Sequence, residues 1–258
     1  MVGDRGIGQD RENDPKNDGF EESVFLSVGS GQVPRSLEEG IRLYNTKQWD
    51  KALDYLLSMD ISEFSGEGML EFAYYMGLSY TKLELYDDAL IYLEQVVATA
   101  NDIFRVYQCR LVLAYIYIVT GRTRMAEFEL KRLQRNGFES PQLYNTLAYA
   151  AWSQKRYKSS IELYEKALEI DNNNTTAMNS IGYILADTGM DILRGLRLCK
   201  KAVDTKPQNA AYLDSLGWAY YKSGDLLEAR TWLRRALELA PEEKEIMRHL
   251  KIVTGEAV

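Results

Sequence analysis

From Val33 onward, apolar and small residues recur at helical spacing in blocks of about 34 residues. Each block holds two amphipathic stretches with a turn between them, near its positions 14 and 15. The block at 210–243 shows the pattern most fully: Leu213, Leu216-Gly217, Tyr220, Leu226, Ala229, Leu233, Ala236 and Pro241. Residues 141–174 place Leu147-Ala148, Ser160 and Ala167 at the same positions, and 107–140 place Leu113-Ala114, Tyr117 and Ala126. Residues 70–103 supply Gly77, Tyr80 and Ala89, and 33–66 supply Gly40 and Ala52. The block at 175–209 fits with one extra residue between Gly182 and Gly195.

Turn chemistry supports helix pairs. Thr120-Gly121, Thr188-Gly189 and Ser223-Gly224-Asp225 close one helix and open the next. Pro207 and Pro241 stop the second helix of their blocks. Small residues at positions 8, 20 and 27 let helices approach closely, and large ones at 4, 7, 11, 17 and 24 fill the gaps. Residues 244–258 carry Ile246, Leu250 and Val253 at helical spacing, as a helix capping the last exposed face does.

These residues resemble the tetratricopeptide repeat family over about nine-tenths of the chain. The third block departs from the family with Leu133 at position 27, the fourth with Asn172 in place of Pro, and the fifth with Gly195 in place of Ala. The resemblance implies an all-α fold, an α-α superhelix or solenoid of about six tetratricopeptide helix pairs (33–66, 70–103, 107–140, 141–174, 175–209 and 210–243) with a cap at 244–258. It also implies that the first helices line the concave side, with positions 2, 5, 9, 12 and 13 facing the groove.

Reading those positions gives an aromatic column at position 9, Tyr115, Tyr149, Tyr183 and Trp218, and Trp152 and Tyr221 at position 12. Position 5 carries Asn145, Asn179 and Asp214, while Lys82, Asp187 and Lys222 add charge at position 13. A carboxamide offers a donor and an acceptor and can clasp a peptide backbone. Aromatic walls beside it suit a binding hot spot. Core packing is the other reading of these rings, and it holds for Tyr80, Tyr117 and Tyr220. The expectation is a peptide-binding groove over the last four blocks. Leu37, Ile41, Tyr74 and Leu78 in the opening blocks argue against the variety of the family that clamps a C-terminal carboxylate with basic and Asn residues.

Residues 1–32, with seven acidic and three basic residues, read as a flexible polar tail interrupted by Phe20, Val24, Phe25, Leu26 and Val28. This patch is either incidental or a docking segment, through which the chain could form a homo-oligomer. The tail lacks the pattern of a signal peptide. Net charge is -7, against a nucleic-acid partner. No stretch of the sequence reaches membrane-spanning length. Cys109 and Cys199 fall too far apart to pair, and His249 reads as a basic residue near a helix end. No nucleophile, metal or cofactor constellation stands out. The expected function is therefore a non-catalytic scaffold for a protein or peptide partner, without cofactor or metal. The block at 175–209 also looks like those of bacterial repeat proteins, which points to an exported or lipid-anchored envelope protein, with the cytoplasm as the alternative.

Overall fold

The structure is a computed structural model that describes residues 35–255 except 63. The described residues form thirteen α-helices in two compact units, 35–154 and 155–255. The tail at 1–32 and its apolar patch lie outside the described residues.

The first unit contains α1 (Arg35–Asn45), α2 (Trp49–Leu57), α3 (Gly66–Lys82), α4 (Tyr86–Thr99), α5 (Ile103–Val119), α6 (Thr123–Arg135) and α7 (Pro141–Ser153). The second contains α8 (Tyr157–Ile170), α9 (Thr175–Asp187), α10 (Ile192–Thr205), α11 (Ala210–Ser223), α12 (Leu226–Leu239) and α13 (Lys244–Thr254). Side chains cap the starts of most first helices. Ser65, Asp102, Ser140, Asn174 and Asn209 each accept a hydrogen bond from a backbone N–H in the opening turn.

The turns keep the period of the sequence. Lys47, Glu84, Gly121, Lys155, Gly189 and Gly224 all have positive φ, and each stands at position 15 of its block. The α5–α6 turn shows why. Arg122 N–H reaches back to Tyr117 O (2.7 Å) and Gly121 N–H to Ile118 O (3.0 Å), which satisfies the last carbonyls through one left-handed residue. Only three of the six are glycine, so the sequence signal marked half of these turns. The extra residue of the fifth block lies in the loop between Gly189 and Asp191, whose carboxylate caps α10.

Small residues set the approach of paired helices. A Cβ on Gly77 would lie 2.7 Å from Leu93 Cγ, and one on Gly217 would lie 2.7 Å from Leu233 Cγ. The fifth block brings backbones together instead. A Cβ on Gly195 would stand 2.7 Å from Gly182 O, and one on Gly182 would stand 2.7 Å from Cys199 Sγ. Glycine at position 20 and the small Cys199 at position 24 are thus one adjustment, a closer contact between α9 and α10. Among the gap-filling positions, Leu213, Leu216 and Leu233 are buried, whereas Leu226 is 44% exposed because it opens α12 at the turn.

Candidate peptide-binding face

The four position 9 rings are buried, with Tyr115, Tyr149, Tyr183 and Trp218 exposed by 1%, 3%, 1% and 6%. The expectation that they stand open is therefore corrected: the rings pack on one another. In the first unit, Tyr115 stacks on Tyr149 with centroids 6.2 Å apart, and Tyr149 stacks on half-buried Trp152 at 5.7 Å. In the second, Trp218 stacks on His249 at 4.1 Å, leans on half-buried Tyr221 at 5.0 Å, and Tyr183 lies 6.5 Å from the same imidazole.

His249 overturns its expected place at a solvated helix end. It is fully buried, with Nδ1 2.8 Å from Asp214 Oδ2. Asp214 is likewise fully buried, so it does not present a carboxylate to a groove. The reason lies in how successive first helices meet. Asn179 Nδ2 donates to Ser215 Oγ at 3.1 Å, joining position 5 of one block to position 6 of the next. Asp214 and His249 repeat that contact between α11 and α13. His249 was missed because it was read by helix position rather than by the 35-residue step from Asp214, which parallels the step from Asn179 to Ser215.

Polar handles close the rest of the second unit's face. Trp218 Nε1 donates to Asp187 Oδ1 at 2.9 Å. Lys222 Nζ donates to Asp187 O at 2.8 Å, lies 3.2 Å from its Oδ1, and stands 5.2 Å from the Trp218 ring centroid. Tyr221 and Lys222 remain half-buried at the rim. Asn145 is fully buried in the first unit.

Two polar atoms on α9 are left over. Asn179 Oδ1 and Tyr183 OH are buried without a hydrogen-bond partner, one helical turn apart. Burial, then the Glu245, Asp187 and Asp214 carboxylates, push the Tyr183 phenol well above its ordinary range and keep it a neutral donor; Arg248 opposes them. In the first unit, burial raises the Cys109 thiol to about 12 despite the nearby Arg105 and Arg110 guanidiniums, so it stays protonated and unreactive at neutral pH. Among the described residues no group of three or more His, Cys, Asp or Glu could hold a metal ion, and no helix is long and apolar enough to cross a membrane.

Family models of the tetratricopeptide repeat match residues 210–243 and 141–174. Those two blocks of the chain are tetratricopeptide repeats. A TPR repeat-containing protein of Pseudomonas aeruginosa is 38% identical over 78 residues, which span 30% of this chain and 13% of that relative. A tetratricopeptide repeat protein from Parabacteroides merdae superposes with a TM-score of 0.69 at 13% identity, covering 85% of this chain and 83% of its own. The APC/C hetero-tetramer Cut9-Hcn1 gives 0.68 at 15% identity, over 84% of this chain and 42% of its own. These likenesses show an all-α superhelical repeat fold. Tetratricopeptide repeat proteins generally mediate protein–protein interaction, and such scaffolds are generally non-catalytic.

Proposed function

We propose that this tetratricopeptide repeat protein is a non-catalytic scaffold that holds a partner's peptide segment against the inner face of its second unit. The observation that carries the reading is the leftover pair, Asn179 Oδ1 and Tyr183 OH. One is an acceptor and the other a donor, the complement of a backbone N–H and C=O. A buried polar group left unmatched costs about 1–3 kcal/mol, which a ligand backbone can recover. Asp214 acts on the Tyr183 phenol, Trp218 stacks on the imidazole beside that ring, and half-buried Tyr221 and Lys222 lie against Trp218 as the rim a partner meets first. Because both atoms are buried, binding has to open this face, and the partner selects an opened form. In the first unit, Tyr115, Asn145, Tyr149 and Trp152 offer a face of the same kind.

Peptides selected from a display library on the full chain test this by calorimetry. Asn179→Ala and Tyr183→Phe each weaken binding about tenfold, the equivalent of one hydrogen bond to the ligand. Tyr183→Phe leaves thermal stability unchanged or raised, since it removes a hydroxyl that the free protein cannot satisfy. Unchanged affinity in both variants removes the inner face from the mechanism.

A further inference from the structure

The opposite side of the second unit carries a different pattern. Helices α10 and α12 both pack on α11, α10 also on α9 and α12 also on α13, and each keeps one exposed face. Together they hold seven basic residues against three acidic ones, in a chain whose net charge is -7. Their most exposed large apolar residues are Leu193 (67%) and Leu227 (76%), which stand at the same position of successive blocks. Lys200 and Arg234 also share a position, as do Asp204 and Glu238, and all four are exposed. Residues seven apart on a helix lie on one stripe. Each of the two helices therefore repeats the same order along its exposed face: apolar, then basic, then acidic.

The basic band is not consumed by the fold. Arg194 pairs with Glu165 at 2.7 Å, and Arg235 donates to Pro207 O at 3.2 Å. Arg197, Lys200, Lys201 and Arg234 make no ion pair or side-chain hydrogen bond among the described residues. Two exposed leucines beside four unpaired cations form a bipartite surface.

We propose that this outer face docks an acidic segment of a partner protein whose apolar residue and carboxylate are spaced to match the bands. Seven residues of α-helix rise about 10.5 Å, the reach of about three residues of extended peptide. The fitted segment thus carries a leucine-like residue three positions from an aspartate or glutamate. Charge complementarity selects its sign, and the exposed leucine of each helix offers an apolar anchor. A bilayer fits less well. Two leucines give marginal insertion, and the acidic band and overall negative charge oppose an anionic lipid surface. This surface is independent of the inner face proposed above.

The test uses the full chain and a fluorescent peptide of about twelve residues with leucine and glutamate three apart, extended at about 3.3 Å per residue. A control peptide has the same composition with the pairs adjacent. Anisotropy should show tighter binding of the spaced peptide, weakened by salt. The pair Lys200→Glu and Arg234→Glu should weaken it about tenfold or more. Leu193→Ser with Leu227→Ser should weaken it about tenfold. All four positions are exposed, so circular dichroism should show the variants folded. Equal binding of the two peptides, or affinity indifferent to either double variant, overturns the proposal. So does sedimentation with phosphatidylserine vesicles that the same substitutions abolish, which would assign the surface to a membrane.

Discussion

Gly182 and Gly195 hold the backbones of α9 and α10 at a distance that leaves no space for a side chain. A methyl group on either meets main-chain atoms under 3.0 Å away, and main chain cannot rotate aside. Gly182→Ala and Gly195→Ala should each cost about 1–3 kcal/mol, the range for overpacking a filled interior. Chemical denaturation measures this, and a midpoint unmoved by both would show that the two helices can separate freely. The sequence displayed Gly195 as a departure from the family, but not its cause. The cause is the pairing with Gly182 and Cys199, visible only once the two helices are side by side. The left-handed Lys47, Glu84 and Lys155 were equally hidden, because local composition marks such turns only when the residue is glycine.

Helix α13 shows how an element can be located from sequence while its role is misjudged. Ile246 and Val253 at helical spacing announced it, and both are buried. What the spacing did not reveal is that α13 brings a buried imidazole onto Asp214 and Trp218. Stripping one member from a buried polar pair strands the other, at a cost of about 3–5 kcal/mol when the partner is charged. His249→Ala should therefore loosen α13, raise amide exchange along 244–254, and shift Trp218 emission to the red. Asp214→Asn, which keeps the volume and one acceptor oxygen, should do less. Equal stability of His249→Ala and the wild type would remove the pair from the account of how the cap is held.

At the scale of the whole molecule, the repeat was legible because it is written in sterics: small residues at positions 8 and 20 with a turn at 15 between them. Those constraints are local and recur six times, so each block supports the reading of the next. The site was less legible. Register assigned Tyr183 and Trp218 to one column and Asn179 and Asp214 to another, but it could not say whether rings on an inner face stand apart or lean together. They lean together, and the position 5 groups spend much of their hydrogen bonding on the neighbouring helix. The contact proposed for a partner is a narrower feature, the buried Asn179–Tyr183 pair.

The most direct measurement follows the emission of Trp218 alone, in a protein with Trp49, Trp152 and Trp232 replaced by Phe, as a display-selected peptide is added. A partner held at the Asn179–Tyr183 pair should give a saturable change at the calorimetric affinity, lost in Asn179→Ala. Emission that stays constant while calorimetry records binding would place the partner elsewhere and contradict the proposal.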